Sequence, residues 1–189
     1  MRYRVTIIFS ILLVAGVAAL YFLGRERIQA QRRPTAGAAS LDDRARLETV
    51  WLYYGSVASA ALERERRTIA SGPSLEERIS ACIDELARGS LEGRISVLPT
   101  NTRLRRAFLD PWGVAYLDFD GAIRRGRLPG DGEEWLAVGA IVRTVCDNFH
   151  EVSAIRFMID GDVITTLGGY VDLEEPISAE QFSDEALAP

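Results

Sequence analysis

Lysine is missing from the 189 residues; all 22 basic side chains are Arg. A phosphate-cradling P-loop needs its Lys, so that class is excluded. Histidine occurs once, at His150. A multi-His metal centre is therefore impossible, and a Ser-His-Asp triad would need a G-x-S-x-G elbow that the chain does not contain. His150 falls between a helical and a strand-like segment, where a solvated loop position is expected. Cysteine occurs only at Cys82 and Cys146, a spacing that fits no zinc pattern. Cationic charge is scarce in the larger part of the chain. Residues 1–47 carry eight Arg against Glu26, Asp42 and Asp43, a net of +5; the remainder carries 14 Arg against 24 acidic residues, a net of −10. Nucleic acid repels such a domain, because binding it requires clustered cations that neutralise phosphates.

What the chain does have begins with a long uncharged run, Thr6 to Leu23, "TIIFSILLVAGVAALYFL". As a helix its 18 residues reach about 27 Å, close to the hydrocarbon thickness of a bilayer. The run exceeds the apolar core of a cleaved signal peptide, and "GRERIQAQRR" after it suits cleavage poorly. Residues 1–27 are expected to be a single-pass transmembrane anchor. Residues 28–47 are polar, small and without apolar periodicity, as in a flexible tether. Arg25, Arg27, Arg32 and Arg33 outnumber Arg2 and Arg4, which would keep the following domain in the cytoplasm. Long domains, however, translocate largely regardless of flanking charge, so charge alone leaves topology open.

Beyond the tether, "TVWLYYGS" (49–56) reads as a strand. "ALERERRTI" (61–69) reads as an edge strand returning from it, with Leu62, Arg64, Arg66 and Thr68 on one face. Ser74 and Glu77 form a capping box ahead of a helix whose stripe is Leu75, Ile79, Cys82, Ile83 and Leu86. Around "DPWG", "TRLRRAFLD" and "GVAYLDF" indicate a hairpin. Asp131 and Glu134 repeat the cap-and-third-residue pattern before a second helix carrying Trp135, Val138, Val142, Val145, Cys146 and Phe149. Asp160-Gly161 then turns a last hairpin. The expected fold is α/β, an α+β sandwich in which a mixed sheet carries the two main helices on one face. Residues 48–178 make this domain, and 179–189 an acidic tail.

Reactive constellations are few. Asp118 and Asp120 share a strand face and could serve as acid and base or hold Ca²⁺, although a solvated strand end is the simpler reading. Cys82 and Cys146 each lie on a helical stripe; they are either a disulfide, if the helices bring the Cα atoms within about 7 Å, or two buried thiols. Arg103, Arg105 and Arg106, with Arg124, Arg125 and Arg127, could form a patch for an anionic partner, or could simply be solvated. Nothing calls for a metal, a cofactor or a catalytic residue.

The segments "LPTNTRLRRAFLDPWGVAYLDFDGAI", "EEWLAVGAIVRTVCDNFHEVSAIRFMIDG" and "TLGGYVDLEEPI" occur in the order and spacing of one known family. Over residues 48–178 the chain resembles the GerMN domain of sporulation and spore-germination proteins. In that family an "LP.GT.L" segment leads into a Gly-centred hairpin, then an "IVNTL"-like helix, a strand ending "F.IDG", and "TLGGH.DLS.P". Asp160, Gly161, Gly168 and Gly169 carry the signature here. The resemblance implies an extracytoplasmic envelope module, similar in fold to ring-building modules, with no established activity or cofactor. It favours the export of the domain. Its expected partners are the membrane, through the anchor, and an envelope protein or a second copy of the chain. Tyr170 stands where the family usually has His, there is a single domain copy, and no Cys is placed for lipidation.

Overall fold

The computed structural model describes residues 46–125 and 131–182. The expected anchor, most of the tether, Arg127 and residues 183–189 lie outside them. Among the described residues, no helix is long and apolar enough to cross a membrane.

The first strand, β1 (Arg46–Gly55), pairs antiparallel with β2 (Leu62–Ser71) along its full ten-residue length. Alternation sends Val50, Leu52 and Tyr54 of β1 inward, with Glu65, Arg67 and Ile69 of β2 beside them. The face of β2 bearing Leu62, Arg64, Arg66 and Thr68 is the outer one. Arg64 lies there over the Trp51 ring, 4.5 Å from its centroid.

Helix α1 (Leu75–Arg88) starts at the expected capping box, with both reciprocal bonds between Ser74 and Glu77 formed. Its stripe of Ile79, Cys82, Ile83 and Leu86 is buried, and Gly89 ends it at a positive φ of 93°.

A second sheet follows. Strands β3 (Leu104–Leu109) and β4 (Val114–Phe119) make the hairpin; β5 (Ala154–Ile159) lies parallel to β4, and the two-residue β6 (Asp162–Val163) closes the order β3-β4-β5-β6. A parallel pair needs a crossover, and α2 (Asp131–Asn148) lies in the connection between β4 and β5. The expectation of one mixed sheet is thus corrected to two sheets, of two and four strands. The long β1–β2 ribbon is complete in itself. On its far side the main-chain groups of β1 go to α2: Asn148 accepts from Trp51 N at 2.9 Å and donates to Trp51 O, and Thr144 Oγ1 accepts from Tyr53 N.

One core joins both sheets and both helices. It includes Leu52, Ile83, Leu117, Phe119, Ile141, Phe149 and Phe157. The fold also runs past the expected start of the tail. A 3-10 turn, Ala179–Phe182, buries Phe182, whose ring meets Trp135 at 4.3 Å.

Candidate functional site

Residues 165–170, which include the signature Gly168 and Gly169, fold around one carboxylate. Glu134, in the first turn of α2, is 0% exposed. Its Oε1 accepts from Thr166 Oγ1 and Leu167 N, both at 3.0 Å, and its Oε2 from Tyr170 N at 2.8 Å. Burial alone would raise its pKa, but hydrogen bonds from Gly168, Tyr170, Thr166 and Leu167 outweigh that and hold it below the ordinary carboxylate value. Glu134 therefore fastens the loop to the helix. Gly169 has φ 105° with open space where a Cβ would stand, so its need for glycine is conformational, not steric. The Asp160-Gly161 turn has φ of 53° and 94°, both positive, as a two-residue hairpin turn demands.

The other carboxylates weighed for chemistry are also engaged. Asp118, 2% exposed, accepts from Gly161 N at 2.9 Å and from Arg106 at 3.3 Å. Asp120 caps the 3-10 turn Gly121–Arg124 by accepting from Ala122 N. His150 is exposed in the turn after α2, 3.4 Å from Glu151. Among the described residues no group of three or more His, Cys, Asp and Glu side chains gathers as a metal site.

Cys82 and Cys146 are free thiols in the structure. Their helices direct them to different neighbours. Cys82 is fully buried in the core, whereas Cys146 is half-buried and hydrogen-bonds the backbone of Ala179. Burial pushes the Cys82 thiol up to about 12 and the Cys146 thiol up to about 11.

The Arg segments gather near one end of the second sheet, but largely in internal contacts. Arg105 pairs with Asp160 at 3.0 Å, Arg106 with Asp118, and Arg103 with Asp84 at 3.9 Å. Arg124 donates to Thr166 O at 3.0 Å, and Arg125 is exposed.

A second ionic network, which no local residue pattern signals, lies under the β1–β2 ribbon. Arg67 bonds Glu65 at 2.6 Å, Glu85, and Gly89 O at 2.9 Å; Ser90, Leu91 and Arg94 add donors to Glu65. Burial works to raise the Glu65 pKa, yet the bonds from Ser90, Arg67 and Leu91 bring it down to about 2. A cleft of about 380 Å³ opens beside this ribbon, lined by Arg46, Leu47, Glu48, Ser71, Gly72, Pro73 and Arg78. Its polar walls are mutually engaged, because Glu48 accepts from both Arg78 and Ser71.

The outer face of the second sheet leaves Phe108 and Val163 exposed. Cross-strand register aligns Phe108, Tyr116 and Arg156 in one rung, and Arg106, Asp118, Met158 and Val163 in the next. Phe108 is 53% exposed, its ring stacked on Tyr116 at 4.5 Å with 7° between the planes. Val163 is also exposed. The hairpin pattern fixed the parity of β3, but a single sequence could not show which face the helices would leave open.

The described residues form a two-helix α+β domain whose residues 166–170 are tied to a carboxylate of α2. A family model described as Germane, sporulation and spore germination, matches residues 51–165, and the chain belongs to that family. Among solved structures it is similar to the first GerMN domain of the sporulation protein GerM from Bacillus subtilis. That match has a TM-score of 0.56 and 17% identity, and covers 70% of this chain and 98% of that one. It is also similar to a candidate lipoprotein from Clostridium perfringens, with a TM-score of 0.50 and 20% identity, covering 71% and 89% of the two chains. No curated protein matches it.

Proposed function

We propose that this chain is a non-catalytic, membrane-tethered module of the bacterial envelope, serving sporulation or germination by docking to another envelope protein or to a second copy of itself. The observation that carries the reading is the open outer face of the four-stranded sheet, where Phe108 is stacked on Tyr116 with half its surface in solvent. Exposed aromatic residues of this kind are the usual anchors of protein interfaces. Sheet edges, the other expected source of contacts, are less free. The outer side of β1 is bonded to α2, and Ala107 N of β3 is within 3.4 Å of Glu76 Oε1. The candidate acids meanwhile serve the fold: Glu134 holds a loop, Asp118 a hairpin turn and Asp120 a helical turn.

A photo-crosslinking amino acid at Phe108, in the full-length chain in its native envelope, tests this. A discrete adduct with one protein or with the chain itself is expected from position 108. The same group at Val57, exposed in the β1–β2 loop, should give none. Equal labelling from both positions, or none from either, would count against the reading.

The alternative, a wall polymer or anionic lipid held by Arg103–Arg106 and Arg124–Arg127, has weaker support because Arg103, Arg105 and Arg106 already face Asp84, Asp160 and Asp118. It requires that Arg105→Glu with Arg125→Glu abolish retention by isolated envelope material. Unchanged retention excludes it.

A further inference from the structure

The two ends of the domain differ in what they expose. The chain enters at Arg46, paired with Ser71 at the start of the β1–β2 ribbon. Arg78, in the first half of α1, bonds Glu48 and lies over Phe149, 4.8 Å from its ring centroid. The start of β1, the start of α1 and the end of α2 therefore share one end of the domain. The β3–β4 turn is there too. Ser153, four residues after Phe149, donates its amide to Gly113 O at 2.8 Å, and Glu76 reaches Ala107 near the end of β3. The Arg-bearing segments lie at the other end. Asp120 N bonds Arg103 O, Arg105 bonds Asp160, and Arg124 bonds the Thr166 carbonyl, all beyond the far ends of β4 and β5.

At the entering end stands Trp112, 82% exposed, at the tip of the Asp110-Pro111-Trp112-Gly113 turn. The turn is tightly tied. Asp110 Oδ1 accepts from both Trp112 N and Val114 N at 2.9 Å, Asp110 N donates to Val114 O at 3.0 Å, and Gly113 N donates to Asp110 O with Gly113 at φ 87°. Its backbone is fixed, and the indole projects from it with no neighbour covering it. Leu47, on the first strand at this same end, is 79% exposed. An indole, with an apolar body and one N–H donor, partitions preferentially into the headgroup layer of a bilayer.

The length of chain leading to Arg46 favours a bilayer as the occupant. Between Leu23, the end of the uncharged run, and Arg46 lie residues 24–45. By random-coil statistics a chain of 22 residues spans about 26 Å root-mean-square, which keeps the Arg46 end of the domain within reach of the bilayer surface. We infer that Trp112 inserts into the headgroup layer of the same bilayer that holds residues 6–23, orienting the domain with its Arg-bearing end outward. The inference rests on reading residues 6–23 as a membrane anchor.

The test uses the full-length chain reconstituted in phosphatidylcholine–phosphatidylglycerol vesicles. Tryptophan emission is quenched there by lipids carrying a nitroxide near the headgroup. The chain has three Trp; Trp51 is half-buried beneath Arg64 and Trp135 packs on Phe182. Nitroxide lipids should quench the native chain, and Trp112→Phe should lose most of that quenching while Trp51→Phe keeps it. Because Trp112 is exposed, its replacement leaves the fold intact, which circular dichroism verifies. Flotation of the same vesicles separates the two possible failures. A chain that floats after alkaline extraction but shows no quenching at Trp112 overturns the inference alone. A chain that does not float overturns the anchor reading and the inference together. Quenching equal in the native chain and Trp112→Phe also sinks it, because the quenched indole is then Trp51 or Trp135.

Discussion

Tyr170 donates its backbone amide to Glu134 Oε2 at 2.8 Å, 36 positions away in sequence, and so ties residues 166–170 to the first turn of α2. With Thr166, Leu167 and Gly168 also donating, this carboxylate accepts from several groups at the loop's centre. Replacing it by Gln presents an amide N–H₂ to some of those donors and removes the charge. Buried donors left without an acceptor cost about 1–3 kcal/mol each. Glu134→Gln is expected to lower unfolding stability by about 2–4 kcal/mol, and to speed hydrogen exchange at the amides of Leu167 and Tyr170. A denaturant midpoint unchanged from the parent protein would remove Glu134 from this role.

The fold was legible where local rules decide it. The capping box of Ser74 and Glu77, the stripe through Ile79 and Leu86, and the Asp160-Gly161 turn all depend on neighbours within a few residues. Glu134 shows where those rules stop. Asp131-x-x-Glu134 has the same pattern as Ser74-x-x-Glu77, yet its carboxylate is drawn to residues 166–170, which a sequence pattern cannot place beside it. Arg67 was hidden for a similar reason. In "ERERRT" both faces of the strand carry charge, so period alone does not say which charges are buried with partners. The cysteines were legible as inward-facing but not as to which neighbour each would meet.

Acid should weaken the domain through Glu65. Its pKa is depressed to about 2 in the folded state by donors from Ser90, Arg67 and Leu91, which outweigh its burial. The unfolded chain takes up that proton near the ordinary carboxylate value, so the stabilisation is fully present above about pH 4.5 and is lost as pH falls toward 2. Linkage puts it at about 3 kcal/mol, with Glu134 adding in the same direction. Urea midpoints between pH 7 and pH 2.5 should therefore fall steeply below about pH 4.5. Glu65→Gln should be less stable at neutral pH and flatter across this range. A variant with the parent's slope would show that other carboxylates govern it.

Both thiols should resist modification in the native state. Thiolate is the reactive form, and burial pushes Cys82 up to about 12 and Cys146 up to about 11. With an aromatic disulfide reagent at pH 8, the folded chain should release almost no thiolate chromophore within minutes, and two equivalents after denaturation. Two free thiols in the unfolded, unreduced protein are the outcome expected from the structure; none would mean that Cys82 and Cys146 are oxidised to one another.

Gly139 sets up a contest between helix propensity and packing. In a helix interior Ala is favoured over Gly by about 1 kcal/mol. At this position, however, an added Cβ would lie 2.5 Å from Phe182 Cδ1 and 3.0 Å from Leu62 Cδ1. Phe182 is buried against Trp135 and belongs to the turn that covers this stretch of α2, so its ring has little room to retreat. Overpacking of this kind costs about 1–3 kcal/mol, enough to exceed the propensity gain. Gly139→Ala should therefore lower the thermal midpoint and detach the Ala179–Phe182 turn, seen as faster proteolysis after Phe182 than in the parent. Phe182→Ala removes the obstruction. In that background Gly139→Ala should become neutral or stabilising, and the double-mutant cycle measures the clash directly. A rise in midpoint from Gly139→Ala alone would mean that Phe182 yields, and that the C-terminal turn contributes little to holding the helix.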